Sequence, residues 1–144
     1  VSSSAGASMK ISDCRAKEFS LSGGGGNFSL SGISADRADF SLKSGEIVGE
    51  NVTFTELSSS SENASLDLRS LDVSKASVNS VSGQVALRLS SDLTDFAVEL
   101  AAKNASVFLN DVHYSSSYSI PNESAEKSIT VNTDTASILL NAAK

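Results

Sequence analysis

Short runs of alternating apolar and polar residues recur along the chain, and each run offers one apolar face. Residues 19–23, Phe-Ser-Leu-Ser-Gly, return as residues 28–32, and the variant Phe-Ser-Leu-Lys-Ser-Gly occupies residues 40–45. The apolar residues of a run lie two positions apart, which is the spacing of one face of a β-strand and not of a helix. The pattern therefore predicts one short β module that is used repeatedly.

The spacing between these apolar pairs indicates how the strands are connected. A jump of three positions follows each pair, which turns the chain and still aims the next pair inward. Consecutive strands then become the sides of a coil, and stacked coils form a β-solenoid. The same spacing continues in the middle of the chain at Leu66 and Leu68, Leu71 and Val73, Ala76 and Val78, and then Val81. We predict that all of these residues point inward.

The C-terminal half shows longer alternation, which predicts longer and flatter coil sides there. Residues 94–103 also fit a helix, but the clean alternation of Phe96, Val98 and Leu100 favours a strand. The two ends of a solenoid expose unpaired backbone and must be covered. The candidates for these caps are Met9 to Phe19 and Ser137 to Asn141, and Pro121-Asn122 is a predicted turn.

Length and composition limit the domain organisation and the function. The chain has 144 residues, which fit one domain, so we predict a solenoid domain at residues 9–144 after a serine-rich linker remnant at residues 1–8. The net charge of −6 and the scattered basic residues argue against a nucleic-acid partner. A single cysteine, Cys14, forms neither an internal disulfide nor a zinc site.

No apolar stretch approaches the roughly 18 residues that span a bilayer, so we expect no direct membrane insertion by this segment. The chain begins at Val1 without a methionine. We therefore expect a mature fragment from which a leader or membrane anchor has been removed, located in the cell envelope or outside the cell.

Carboxylates are the most interesting candidates for chemistry. In a solenoid, outward positions one coil apart stack, so Asp36, Asp39, Asp67 and Asp72 are candidates for a carboxylate row. Such rows hold calcium in β-helix polysaccharide lyases, and paired carboxylates act as acid and base in glycosidases. The basic residue that a lyase needs has three candidates nearby in sequence, Arg37, Arg69 and Lys75. The competing interpretation is that these charged side chains keep the exposed sheet soluble and prevent its edges from pairing with other chains.

His113 and the glycine run at residues 23–26 each have a structural and a functional interpretation. His113 is the only histidine, and Asp111 and Ser115 lie beside it, but strand alternation places these three side chains on one outward face. A hydrolase triad needs a buried orienting carboxylate and an oxyanion hole, for which the sequence offers no signal. The run Gly23–Gly26 lacks the Gly-Lys-Ser/Thr of a phosphate loop and is interpreted as a flexible turn. No catalytic residue, metal or cofactor is assigned.

Two C-terminal segments carry a resemblance to a known family, which covers most of the chain after about residue 19. Residues 80–110, from Ser-Val-Ser-Gly to Val-Phe-Leu-Asn, and residues 128–140, Ser-Ile-Thr-Val-Asn-Thr-Asp-Thr-Ala-Ser-Ile-Leu-Leu, are similar to bacterial adhesin-type domains of unknown function. The resemblance implies a right-handed β-helix-like fold on the cell envelope, often behind a single membrane anchor. Ala105 and Ala136 stand where the family's turns usually carry glycine. A second resemblance is to pentapeptide-repeat proteins, carried by Ala-Asp-Phe-Ser-Leu at residues 38–42.

These observations favour an all-β, single-domain solenoid that acts as a non-enzymatic structural or adhesion module of the cell envelope. It would present its polar surface to a protein or glycan partner that the sequence does not identify. One alternative is a β-helix enzyme or binding module for polysaccharide, which predicts a cleft where carboxylates and Lys or Arg converge. A second is an acidic pentapeptide-repeat type that binds a DNA-handling enzyme, which predicts uniform four-sided coils and a continuous negative stripe.

Overall fold

The computed structural model is an all-β molecule whose strands belong to one continuous sheet. It describes residues 2–3, 7–90, 96–114, 117–120 and 123–142. Among these residues there is no helix long and apolar enough to cross a membrane. In chain order the strands are β1 Ser2–Ser3, β2 Ala7–Ser12, β3 Arg15–Gly23, β4 Gly26–Ser31, β5 Ser34–Glu50, β6 Thr53–Ser82, β7 Val85–Leu89, β8 Phe96–Ala102, β9 Val107–Leu109, β10 Val112–Tyr114, β11 Ser117–Ile120, β12 Lys127–Thr133 and β13 Ile138–Asn141.

The sheet winds around one apolar core, and one circuit of the chain, called a coil here, takes 19 residues from β2 through β6. Ser34, for example, pairs in parallel with Arg15 on one side and with Thr53 on the other. Each coil points three groups of side chains inward. In the second coil these are Phe28 and Leu30, then Ile33 and Ala35, then Ala38, Phe40 and Leu42, all of them buried. The fold is β-solenoid-like, with the apolar pairs inside as the sequence predicts.

The three-sided coil corrects the expectation for a pentapeptide-repeat protein. That architecture requires four equal sides, whereas here the third inward group has three members and the other two groups have two. The chain does not turn after Phe40 because the alternation continues to Leu42, which is also buried. The prediction that Val81 points inward is wrong, because its side chain is 51% exposed. The third side of that coil continues to Ser80, which takes the inward position instead.

One corner of the coil is a column of residues with left-handed backbone. Asp13, Gly32, Asn51 and Ser70 follow one another at the 19-residue spacing and have φ values of 52°, 62°, 54° and 51°. Glycine, asparagine and aspartate tolerate this conformation best. The ladder continues through the corner, because the amide of Gly32 donates to the Glu50 carbonyl and the amide of Asn51 donates to the Arg69 carbonyl.

A second corner is a column of very small residues. Gly26, Gly45 and Gly83 have positive φ, and Ala64 occupies the coil between the last two. A Cβ atom on Gly45 would overlap the backbone of Gly26, so the coils approach closely here. The column continues to Ala136 and Ala105, because Ile138 pairs with both Val85 and Val107. Ala64, Ala105 and Ala136 hold the corner without a positive φ, which is why alanine is tolerated there.

The last coils are not stacked in chain order. β12 pairs in parallel with β6 on one side and with β8 on the other, and β13 lies in the same way between β7 and β9. The later segment is thus inserted between two earlier ones. Its inward side chains Ile129, Val131, Ile138 and Leu140 are 0% exposed, because a coil covers them on both sides.

The C-terminal end of the stack is closed by two antiparallel strands. β10 pairs with β9, and β11 pairs with β8. Asn110 and Asp111 form the two-residue loop between β9 and β10, and their φ values of 48° and 65° are those of a type I′ turn. The rings of Tyr114 and Tyr118 lie 4.3 Å apart and pack against the end of the core.

These facts correct both predicted caps. Of the run Ser137 to Asn141, the residues Ile138–Asn141 lie inside the stack as β13, and β10 and β11 form the cap instead. Met9 to Phe19 forms most of the first coil, in which Met9, Ile11 and Cys14 remain only partly buried. The outer edge of that coil carries Lys10, Arg15 and Lys17, and charged side chains at an edge discourage pairing with other chains.

The strands with the most residues lie in the N-terminal half, contrary to the prediction of longer strands in the C-terminal half. β5 has 17 residues and β6 has 30, because each runs through several coil sides, whereas the strands from β7 onward have three to seven. The reason is that the ladder of the N-terminal coils continues around the corners. The ladder is first interrupted where β6 pairs with β7, by a register shift between Leu68 and Leu71. A single coil side is longer at β8, which has four buried inward residues, than at Ala38, Phe40 and Leu42.

Three further predictions concern particular segments. Phe96 begins a strand as expected, while Thr94 and the predicted turn Pro121-Asn122 lie outside the described residues. The predicted linker at residues 1–8 contains the two residues of β1 and the first two of β2, so strand structure begins before residue 9. The remaining positions of that segment lie outside the described residues.

The glycine corner gives a first prediction. Gly45→Ala places a Cβ atom against the Gly26 backbone at a φ of 108°, so we expect it to lower the free energy of unfolding by about 2 kcal/mol or more. Gly24→Ala is the matched control because a Cβ atom there meets nothing within 4 Å. Urea unfolding of both variants measures the difference, and equal stability would show that the coils can separate at this corner.

The inserted coil gives a second prediction. Ile138→Ala removes a fully buried side chain that lies between two coils, and we expect a loss of about 2–5 kcal/mol in the free energy of unfolding. Val112→Ala truncates a side chain that is 53% exposed and should change it by less than about 0.5 kcal/mol. Calorimetric unfolding tests this, and similar melting temperatures for the two variants would contradict the insertion of β13.

The tyrosine pair predicts a pH dependence. Burial raises the pKa of Tyr118 above its usual value of 10.0, and the charge of Tyr114 and a hydrogen bond to it add to the rise. The folded state therefore favours the neutral phenol, so its stabilising contribution is full below pH 10 and is lost as the pH rises through the folded pKa. We expect the urea midpoint to fall more steeply between about pH 9 and pH 11 in the wild type than in Tyr118→Phe. Identical slopes would show that Tyr118 does not contribute.

Candidate functional site

The described residues form a groove on the outer surface of the third side of the coils, which is the side whose inward residues in the second coil are Ala38, Phe40 and Leu42. Two columns of outward side chains form its walls, and the backbone at Ala38, Leu57 and Ala76 forms its floor. The cavity measures about 500 Å³. One wall consists of Arg37, Glu56, Lys75 and Ser128, and the other consists of Asp39, Ser58, Ser77 and Thr130. We call this cavity the axial groove, because it crosses successive coils along the axis of the stack.

The walls follow from strand alternation and from the ladder register. Arg37 pairs with Glu56 and Asp39 pairs with Ser58 in the coils formed by β5 and β6. Lys75 pairs with Ser128, and Ser77 pairs with Thr130, where β12 joins the sheet. Adjacent coils in a sheet lie about 4.8 Å apart, so each wall presents side chains at that repeat.

Charges alternate along the first wall. The column runs from Glu18 through Arg37 and Glu56 to Lys75. Arg37 Nε lies 3.5 Å from Glu56 Oε2, and both side chains are at least half exposed, so the pair is worth at most about 1 kcal/mol. This alternation replaces the continuous negative stripe expected for a protein that mimics DNA. Among the described residues, neither Lys75 nor Asp39 has an ion-pair partner.

The predicted carboxylate row is not formed. Asp39 lies in the axial groove, but Asp67 belongs to a different side of the coil, where it pairs with Val48 and Ala86. Asp36 and Asp72 are exposed and lie in two further columns, since Asp36 precedes Arg37 and Asp72 extends the column of Ser34 and Thr53. The separations of the four aspartates are not multiples of the coil length, so their side chains cannot stack.

The basic residues proposed to accompany that row are divided in the same way. Arg37 and Lys75 line the axial groove, whereas Arg69 Nη2 donates to Asp67 Oδ2 at 3.0 Å on the other side. That hydrogen bond, together with the charge of Asp67, raises the pKa of Arg69. The second oxygen of Asp67, Oδ1, is buried and lacks a hydrogen-bond partner among the described residues.

The His113 hypothesis and the glycine run give no further site. His113 is exposed and its ring lies 5.0 Å from that of Phe108, while Asp111 belongs to the exposed turn before it. Ser115 lies outside the described residues. Gly24 and Gly25 form a bend between β3 and β4, so this run is the predicted turn. In the described part of the chain, no cluster of three His, Cys, Asp or Glu side chains is placed to hold a metal ion.

Sequence reasoning missed five members of the groove: Glu56, Ser58, Ser77, Ser128 and Thr130. The available signal was the 19-residue offset, at which Arg37, Glu56 and Lys75 follow one another in the N-terminal coils. The corner residues Asp13, Gly32, Asn51 and Ser70 repeat at the same offset. Ser128 and Thr130 had no such signal, because β12 joins the sheet out of chain order.

Comparison with known proteins agrees with this architecture. The comparison with curated proteins found no match, and neither did the comparison with solved structures. The Toastrack DUF4097 family model, which describes a domain of unknown function, matches residues 1–140. That match includes every strand from β1 to β12 and most of β13. A match over nearly the whole chain shows the family, and the chain is therefore a member of the Toastrack DUF4097 family.

Proposed function

We propose that this domain is a non-enzymatic structural or adhesion module of the cell envelope, which presents the axial groove to a protein or glycan partner. The observation that carries the proposal is the groove itself, in which two polar columns stand side by side on a continuous sheet. The expected envelope location still rests on the resemblance to adhesin-type domains. The right-handed coil is also a proposal, favoured by the general preference of parallel strand connections for that hand.

Rigidity is the physical basis of this presentation. The strands under the groove belong to a continuous parallel ladder, in which Leu57 is in register with Ala38 and Ala76 is in register with Ile129. The walls are rich in serine and threonine, which have few rotamers to lose when a partner binds. A partner would therefore meet hydroxyl groups that are already in position, whereas Arg37, Glu56 and Lys75 would lose rotamer freedom on binding.

The charges indicate the chemistry of that partner. Arg37 and Glu56 form a weak, exposed ion pair, whereas Lys75 and Asp39 lack an ion-pair partner among the described residues. Four hydroxyl groups, of Ser58, Ser77, Ser128 and Thr130, surround them and both donate and accept hydrogen bonds. The groove therefore fits a polymer that carries hydroxyl groups and a charge. A glycan with carboxylate groups placed against Lys75 meets both requirements.

A second candidate function is a polysaccharide-active enzyme. The observation that favours it is the convergence of Asp39 and Glu56 with Arg37 and Lys75 in one groove, which is the arrangement that this alternative predicts. A lyase would use a basic residue to remove a proton beside a carboxylate of the substrate. Incubation with acidic polysaccharides, followed by the ultraviolet absorbance of the unsaturated product, distinguishes an enzyme from a binding module.

An array of acidic and neutral glycans, probed with and without calcium, tests the groove directly. We expect the wild-type domain to bind acidic glycans and the variant Arg37→Ala/Lys75→Ala to bind them at least about tenfold more weakly, since each lost charged contact is worth about 1.5–3 kcal/mol. Lys10→Ala/Arg88→Ala is the matched control, because it removes the same charges from exposed positions outside the groove. Equal losses in both variants would indicate nonspecific charge attraction and would contradict a groove site.

A further inference from the structure

A second cavity lies at the glycine corner, on a different side of the coil from the axial groove. It measures about 540 Å³, which is within the usual range for small-ligand sites. Gly83 and Ala136 belong to the small-residue corner, and their lack of bulk leaves this space open. We call it the corner pocket and define it by the side chains that line it around that corner: Gln84, Thr135, Ser137, Phe108 and Leu139.

One wall of the corner pocket is apolar although it faces outward. Leu139 and Phe108 are paired neighbours in β13 and β9, and Ala86 precedes them in the same outward column. Both larger side chains are only partly buried. The corresponding outward columns of the axial groove carry Ser58, Ser77 and Thr130 instead. An outward aromatic ring beside a leucine is therefore a local departure from the polar surface of this solenoid.

The other wall is polar and uncharged. Gln84 and Ser137 contribute an amide and a hydroxyl group from neighbouring coils. Thr135 adds a second hydroxyl, which donates to the carbonyl of Val81 at 3.1 Å and keeps its acceptor capacity. No residue that lines the corner pocket carries a formal charge. The corner pocket therefore offers a charged ligand no ion-pair partner.

The backbone N–H and C=O groups around the corner pocket already form hydrogen bonds between neighbouring coils. The amide of Val85 donates to the Ser137 carbonyl, the amide of Ile138 donates to the Ser106 carbonyl, and that of Thr135 donates to Val81. An extended peptide binds a sheet by adding to free main-chain groups at an edge. That mode is blocked here, so a ligand must use the side chains alone.

From these observations we infer that the corner pocket binds a neutral saccharide. A pyranose ring has an apolar face of C–H groups, which would pack on Phe108 and Leu139, and a rim of hydroxyl groups, which would bond to Gln84, Thr135 and Ser137. His113 supports this platform, because its ring lies 5.0 Å from Phe108 at a tilt of 36°. The site is separate from the axial groove and does not depend on the function proposed for it.

Titration with neutral oligosaccharides tests this inference. Cellohexaose, maltohexaose and hexa-N-acetylchitohexaose are added to the isotope-labelled wild-type domain up to about 5 mM, a range that detects millimolar dissociation constants. We expect at least one of them to shift the amide signals of Gln84, Ser137 and Leu139. Absence of shifts with all three, or shifts confined to the axial groove, would overturn the inference.

Two variants separate the aromatic contact from the polar contact. Phe108→Leu keeps an apolar side chain but removes the ring, and we expect affinity to fall at least about tenfold, whereas Gln84→Ala should lower it about threefold. Gln84 is exposed, so its variant should fold even if Phe108→Leu does not. Unchanged affinity in Gln84→Ala together with any folded Phe108 variant would overturn the inference.

The groove variant Arg37→Ala/Lys75→Ala is the matched control for this site. It should bind the neutral oligosaccharide as the wild type does, while it loses the acidic glycans of the first experiment. If the axial groove does not bind acidic glycans, the corner pocket should still bind the neutral oligosaccharide. If the corner pocket does not bind the neutral oligosaccharide, the axial groove should still bind acidic glycans. A neutral saccharide whose binding is lost only in the groove variant would contradict the corner pocket.

Discussion

Hydrogen bonding between successive coils determines where almost every side chain of this protein lies. Residues from β2 through β6 pair with residues 19 positions away, so each column contains one residue from every coil. The corners depend on this register, because Asp13, Gly32, Asn51 and Ser70 must reach the left-handed corner together. Loss of one residue from a coil would move its inward side chains to the outer surface, since strand side chains alternate. The constant offset is thus a condition for both the core and the groove.

Local alternation explains how much of the fold the sequence predicts. The pairs Phe28 and Leu30 or Ile129 and Val131 are inward because neighbouring residues of a strand face opposite ways, and no distant contact is needed to infer this. The order of the last coils depends on distant pairing instead. The alternating pattern of β12 is the same in kind as that of β8, so sequence alone does not indicate which of the two follows β6.

The size of a coil side is a similar nonlocal property. Val81 is more apolar than Ser80, but Ser80 lies inward because the third side of the coil has room for three inward positions. The hydroxyl of Ser80 is satisfied there by the Ser82 carbonyl and by the hydroxyl of Ser61. The candidate site shows the same limit, because residue types alone mark Arg37, Asp39 and Lys75 as candidates for chemistry, and only the register places them in one groove. Asp67 and Asp72 are carboxylates of the same kind but belong to other columns.

The position of β12 and β13 has a consequence for the synthesis of the protein. A ribosome releases β6 to β9 before β12 and β13, yet these later strands lie between β6–β7 and β8–β9 in the finished stack. The N-terminal coils can stack in the order in which they emerge, but β8 and β9 cannot dock directly on β6 and β7 without occupying a place that is needed later. Until β13 has emerged, the nascent chain holds an unfilled gap with a sheet edge on either side, which is when a chaperone or a translocation channel would have the most to protect.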